Sequence, residues 1–333
     1  MTKPDTHQTI RPRRNRKSSA IRTLCSETRL SCESLIYPVF VHDSAQDEEI
    51  NSMPGCKRWS PAGLLRELSE AHSLGIGAVV LFPAIDEQLK SRSATESYNE
   101  DGLIPKTIMA IKNEIPDLAV ITDVALDPYN SDGHDGLVDE NGRILNDETV
   151  EVLCKQAICH ARSGADIVAP SDMMDGRVGA IREALDSDGS TETSILSYTA
   201  KYASSYYGPF RGALGSAPKS GDKKTYQMDP ANAREALREA ALDINEGADM
   251  IMVKPAGPYL DVLALVASHV DVPVAAYQVS GEYLMIESAA AAGWINREEV
   301  IRESLTGIHR AGANAVLTYY AKEVAGWLHV NKD

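Results

Sequence analysis

The sequence is short of cysteine, of phenylalanine and of long hydrophobic runs, and each shortage removes a class of answer. No run of about eighteen apolar residues occurs, which excludes a membrane-spanning helix. The five cysteines, Cys25, Cys32, Cys56, Cys154 and Cys159, form no CxxC pair and are too sparse in 333 residues for a disulfide framework. The beginning of the chain carries no secretory apolar core, and with the cysteine usage this predicts a reducing, cytoplasmic setting. No GxGxxG follows an early apolar run, so the main mark of a dinucleotide crevice is missing.

What is present reads as a globular chain, 43% hydrophobic and 24% charged. The net charge of −15 is unevenly spread. Residues 1–29 hold eight Lys/Arg, among them RPRRNRK at 11–17, against two acids, so this arm is about +6 and the remainder about −21. An acidic body would repel a nucleic-acid backbone just beyond the arm. The favoured expectation is an arm (1–32) that wraps an acidic neighbouring subunit, with a solvated tail as the plain alternative.

From residue 35 onward eight short runs rich in Val, Ile and Leu recur between helix-like segments: LIYPVFV (35–41), AVVLFP (78–83), LAVITDVAL (118–126), DIVAPS (166–171), SILSYTAK (194–201), DMIMVKP (249–255), VPVAAYQVS (272–280) and NAVLTYYA (314–321). Apolar runs without alternation suit strands buried on both faces, as in a parallel sheet covered by helices. GIGA at 75–78, GADI at 164–167, GADM at 247–250 and GANA at 312–315 each end a helical segment with glycine and lead into a strand. Eight such units without a compositional break predict one (β/α)8 TIM barrel over 33–333; an open doubly wound sheet is the alternative.

In such barrels chemistry sits at the C-terminal ends of the strands. Reactive residues gather there: Asp123 and Asp127, Ser171 and Asp172, Lys201, Lys254, Tyr277 and Ser280, and Tyr319. A single lysine at a strand end is most simply a snorkelling side chain. Two on adjacent strands call for chemistry. A free lysine titrates near pH ~10.4 and is protonated in neutral water. Burial beside Met252 and Val253, and a second cation nearby, would release a neutral amine able to form a Schiff base with a ketone or aldehyde. Residues 202–230, YASSYYGPFRGALGSAPKSGDKKTYQMDP, suit a mobile lid whose Arg211, Lys219, Lys223 and Lys224 could meet an anionic substrate. A solvated surface loop is the alternative.

GADMIMVKPAGPYLD at 247–261 resembles the active-site signature of the porphobilinogen synthase, or 5-aminolevulinate dehydratase, family. YPVFV, DVALDPYNSDGHDG, APSDMMDGRV, YTAKYASSYYGPFR, YQMDP and VSGEY fit that family in order from about residue 20 onward. The resemblance implies a homo-octamer of TIM barrels with protruding arms, condensing two 5-aminolevulinate molecules into porphobilinogen with loss of two waters. It implies that Lys254 and Lys201 form Schiff bases, on the propionate and acetate sides of the product. Arg211 and Lys223 would bind one substrate carboxylate, and Ser280 and Tyr319 the other. Tyr207, Phe210, Gln227 and Tyr277 would line the pocket, while Asp123 and Ser171 would orient groups near the reacting amines.

On metals the chain departs from part of the family. Zinc-dependent members carry three cysteines over the segment matching 125–135, where this chain has Ala125, Asp127 and Asp135, so an active-site zinc is not expected. Asp127 and Asp135 could take a hard cation such as Mg²⁺, or remain loop aspartates. In magnesium-responsive relatives the residue matching Glu239 binds an allosteric Mg²⁺ near a subunit interface. Asp243, one helical turn on, would stand behind it. A class I aldolase, needing one lysine, and a non-catalytic assembly protein using the arm are the competing functions.

Overall fold

The eight apolar runs become eight parallel strands: β1 Leu35–Val41, β2 Ala78–Pro83, β3 Ala119–Val124, β4 Ile167–Pro170, β5 Ser194–Lys201, β6 Met250–Lys254, β7 Val274–Gln278 and β8 Ala315–Thr318. The computed structural model describes residues 10–216 and 218–330. Positions 1–9 of the expected arm, 217 of the expected lid and 331–333 of the expected barrel lie outside the described residues. Each strand pairs with the next in parallel, and β8 closes on β1 through Leu35↔Val316 and Ile36↔Leu317. Closure removes the edges an open sheet would leave, so the barrel and not the doubly wound sheet is the fold.

Burial on two faces explains the continuous apolar runs. On β1 and β2, Val39, Val41, Val79 and Leu81 face outward against Leu64, Leu68, Ile104, Ile108 and Ile111. Phe40 and Phe82 face inward with ring centroids 6.0 Å apart. Each fully buried Val, Leu or Phe contributes about 1.5–3 kcal/mol. The covering helices are α1 Pro61–Ser73, α2 Leu103–Glu114, α3 Asn146–Arg162, α4 Arg177–Asp188, α5 Gly208–Leu214, α6 Glu235–Asn245, α7 Leu260–Ala267, α8 Ser280–Ala291, α9 Arg297–Arg310 and α10 Ala321–Val330. Ser60 starts α1, its Oγ accepting the Gly63 N–H at 3.1 Å, and proline occupies the first turn, where no donor is needed.

Two segments are more ordered than their composition suggests. Within 202–230 the residues Gly208–Leu214 form α5, with Pro209 in the first turn. Arg58, on a short ribbon after β1, donates to the carbonyls of Ala213 at 2.6 Å and Gly212 at 3.1 Å, holding α5 over the barrel mouth. The basic arm carries a one-turn helix, Ser19–Leu24, with no buried residue.

The four glycines that end helices before strands all have positive φ: Gly75 +93°, Gly164 +101°, Gly247 +103° and Gly312 +114°. A side chain is strained there, and at Gly312 an added Cβ would stand 2.5 Å from the Ala267 Cβ. Gly312→Ala should therefore lower stability by about 1–3 kcal/mol. Gly77→Ala, at a glycine with open space around it and no positive φ, should shift it by no more than about 1 kcal/mol. Chemical denaturation of the two variants side by side checks this.

Candidate active site

The β5–β6 register sets Lys201 directly opposite Lys254. The ladder does not run evenly up to that point: Ile251 pairs with Ser197, but Val253 pairs with Ala200, so β5 carries one extra residue. That bulge re-aims the strand end. Below it Ser197 and Thr199 point outward, their hydroxyls donating to Asp243 Oδ2 on α6 at 2.7 Å each. Strict alternation would send Lys201 the same way. Instead Tyr198 and Lys201 both face the mouth, with Tyr198 under Lys254 Nζ at 5.0 Å and Lys201 donating to the Ser171 carbonyl.

Lys254 is buried among rings, its Nζ 4.7 Å from the centre of Tyr277, 5.2 Å from Tyr207 and 5.3 Å from Phe210. Burial, then the charge of Lys201, brings its pKa down to about 7. Its carbonyl accepts from Tyr202 N–H at 3.0 Å and Tyr207 Oη at 3.3 Å, which fixes the strand end.

Lys201 has anionic company: Asp135 Oδ2 lies 3.5 Å from its Nζ. The same carboxylate accepts from Lys223 at 2.9 Å, and Lys223 also reaches Asp127 at 3.3 Å. Burial pushes the Asp135 carboxyl up, but Lys201 and Lys223 overcome this and hold it well below its ordinary range. Asp127 is kept above its usual value by burial and by Asp135, against the pull of Lys223 and Lys201. Asp123 is driven up to about 7 by burial and by Asp127. The expectation that Asp127 and Asp135 could ligate a cation thus meets a different arrangement: their oxygens already face ammonium groups. Among the described residues no cluster of three or more His, Cys, Asp or Glu side chains could hold a metal.

A cavity of about 30 Å³ brings together Asp123, Asp127, Asp135, Ser171, Lys201, Tyr207, Phe210, Arg211, Lys223, Gln227 and Lys254. It has room for a water or so, with the segment that follows β5 folded down on it. Arg211 and Lys223 face inward, whereas Lys219 and Lys224 are exposed beside Glu87 and Asp222. Ser280 Oγ accepts the Phe210 N–H at 3.0 Å, and the Tyr277 and Tyr319 hydroxyls meet at 2.9 Å on the side of Lys254.

Glu239 lies on α6 away from this cavity, in a recess of about 330 Å³ that it shares with Asp175 and Glu235. Its carboxyl is pushed up by burial and then by Asp243. Asp243 itself is buried, accepting from Arg177 at 3.1 Å as well as from Ser197 and Thr199, so its oxygens serve a buried charge pair. Sequence reasoning missed Tyr198, Phe82 and Ser216. Tyr198 sits three positions before Lys201, and only the bulge turns that spacing into a shared face.

With this geometry in place, comparison with known proteins is decisive. The family described as Delta-aminolevulinic acid dehydratase matches residues 9–327. The chain belongs to that family. A chloroplastic delta-aminolevulinic acid dehydratase of Physcomitrium patens is 57% identical over 96% of this chain and 74% of its own length. That of Glycine max is 56% identical over 95% of this chain and 77% of its own. The crystal structure of the Toxoplasma gondii enzyme in complex with porphobilinogen superposes with a TM-score of 0.94 at 59% identity, covering 96% of this chain and 91% of that one. The protein is thus a delta-aminolevulinic acid dehydratase, a hydro-lyase with porphobilinogen synthase activity in tetrapyrrole biosynthesis. The cytoplasmic expectation is corrected by these relatives, which are chloroplastic in name. It rested on cysteine usage and on a missing apolar leader, and the latter bears on secretion alone, since organellar transit segments are amphipathic and basic.

The burial of Lys254 has a direct consequence. Reductive methylation by formaldehyde, read residue by residue across pH, should show Lys254 reacting with a midpoint near pH 7, about three units below an ordinary lysine. In Lys201→Met the midpoint should rise, because a neighbouring cation no longer opposes protonation of Lys254.

Proposed function

We propose that this dehydratase works through Schiff bases at both barrel lysines. The observation that carries the reading is the register pairing of Lys201 with Lys254, the latter buried among rings and brought down to about 7. A neutral amine at Lys254 attacks the ketone of one 5-aminolevulinate, and Lys201 takes the second. Each imine forms with loss of one water. When the C–C and C–N bonds of the pyrrole close, both lysines are released, which accounts for two waters per product.

The side chains around the lysines supply the rest. Arg211 and Lys223 hold the carboxylate of one substrate, the first with a planar fork and the second as a point charge. Ser280 and Tyr319 hold the other carboxylate near Lys254, and Tyr207, Phe210, Gln227 and Tyr277 shape the pocket. Asp123, raised to about 7, is suited to passing a proton beside the reacting amines, with Ser171 orienting it. Segment 202–230 acts as the lid: an incoming carboxylate competes with Asp127 and Asp135 for Lys223. A class I aldolase would have no use for a second lysine aligned with the first.

The metal reading follows from donor chemistry. Ala125, Asp127 and Asp135 offer no thiolate, and the two aspartates face lysines, so the site does not fit zinc. The Glu239 recess leaves space for a hydrated ion beside one carboxylate, which suits Mg²⁺, since that ion keeps most of its waters and needs few direct ligands. Glu239 would hold the ion, and bound Mg²⁺ would supply positive charge that relieves the repulsion among Glu239, Asp243, Glu235 and Asp175. The arm over residues 1–32 embraces a neighbouring subunit of a homo-octamer, its positive charge meeting the acidic body.

Borohydride added with 5-aminolevulinate should leave a reduced adduct on Lys254, and Lys254→Ala should lower kcat/KM about 10⁴-fold or more. An active preparation with no lysine adduct would refute the scheme. Mg²⁺ should raise the thermal midpoint of the wild type and favour the larger species in sedimentation velocity. In Glu239→Gln both responses should vanish.

A further inference from the structure

The VSGEY motif contributes Ser280 to the site, but its Glu282 has no part in the scheme above. It is 9% exposed, and no cation contributes to its electrostatics. Burial pushes its carboxyl up to about 7 despite the backbone N–H groups around it. A buried carboxylate without a cation is costly unless hydrogen bonds satisfy it.

Its two oxygens go to two different segments. Oε2 accepts the N–H of Val279, the residue that precedes α8, at 2.8 Å, the one half of a capping box that a valine at the N-cap allows. Capping the helix start needs only this oxygen. Oε1 reaches out of the helix and accepts the N–H of Gly257 at 2.8 Å, three residues beyond Lys254. The fit leaves no slack, since a Cβ on Gly257 would stand 2.5 Å from that oxygen. The same turn also touches the lid root: a Cβ on Gly281 would lie 2.5 Å from the Tyr206 carbonyl oxygen, and Ser280 Oγ accepts the Phe210 N–H at 3.0 Å.

We infer that Glu282 is a positioning residue, whose carboxylate bridges the loop behind Lys254 to the start of α8 and so sets the distance between the reacting amine and Ser280. The inference rests on the reading of Lys254 as a Schiff-base lysine and Ser280 as a carboxylate ligand. An amide at 282 can accept from one of the two N–H groups but presents an N–H to the other. A shorter aspartate keeps the charge and cannot span both.

The test uses the full-length enzyme as Glu282→Gln, Glu282→Asp and Gly257→Ala, the last pressing on the same contact from the opposite side. In each, KM for 5-aminolevulinate should rise at least fivefold and the borohydride-trapped adduct at Lys254 should fall at least fivefold. Formaldehyde methylation of Lys201 in the same samples should stay within twofold of wild type. Should one variant fail to fold, the others carry the measurement. Wild-type KM and adduct yield in Glu282→Asp would show that charge alone suffices and overturn the bridging role. A parallel change at Lys201 and Lys254 would reveal a merely structural residue and overturn it as well. Absence of any Lys254 adduct in active wild-type enzyme would instead bring down the Schiff-base reading, and this inference with it.

Discussion

Two lysines placed side by side at the end of a closed parallel sheet cannot both keep their protons cheaply, and the arrangement of this molecule turns on how that conflict is resolved. Moving Lys254 from its ordinary pKa to about 7 corresponds to about 5 kcal/mol of disfavoured ammonium. The fold supplies this through burial first and through Lys201 second. Lys201 instead has the Asp135 carboxylate 3.5 Å from its Nζ. One lysine is therefore surrounded by rings and the other by a carboxylate. The asymmetry between two chemically identical side chains is made entirely by their neighbours.

That asymmetry requires the barrel to deliver different surroundings to adjacent strand ends. The rings around Lys254 come from Tyr198 on β5, Tyr277 on β7 and Tyr207 and Phe210 from the segment after β5. The carboxylates near Lys201 come from the loop after β3, with Lys223 folded in from the segment after β5. Closure of the sheet brings these loops to one rim, and the extra residue in β5 turns Lys201 toward it. The Asp135 carboxylate, shared by Lys201 and Lys223, ties the segment after β5 to the charge environment of the two lysines at the rim.

Much of this was legible in the chain. The eight apolar runs coincide with the eight strands to within a few residues, because burial on both faces leaves an unbroken apolar signal. The helix-ending glycines were equally readable, since positive φ restricts the choice of residue. What could not be read depends on contacts between distant segments. Arg58 holding α5 spans more than 150 positions, and nothing near either end announces it. Asp127 and Asp135 looked like free oxygen ligands because Lys223, which they share, is 96 and 88 residues away from them. Asp243 shared a helix face with Glu239 on paper, yet α6 packs so that one faces Arg177 and the barrel wall while the other borders a recess.

The bulge in β5 shows why a list of site residues is not a site. Period-2 alternation, applied to SILSYTAK, assigns Lys201 to the outer face with Ser197 and Thr199, whose hydroxyls reach Asp243 there. A one-residue shift in pairing, invisible in composition and hydropathy, moves it to the inner rim opposite Lys254. On the outer face Asp243 is partnered by Arg177 at 3.1 Å. The irregularity that puts a lysine on the inner rim leaves Ser197 and Thr199 on the outer face, where their hydroxyls reach Asp243.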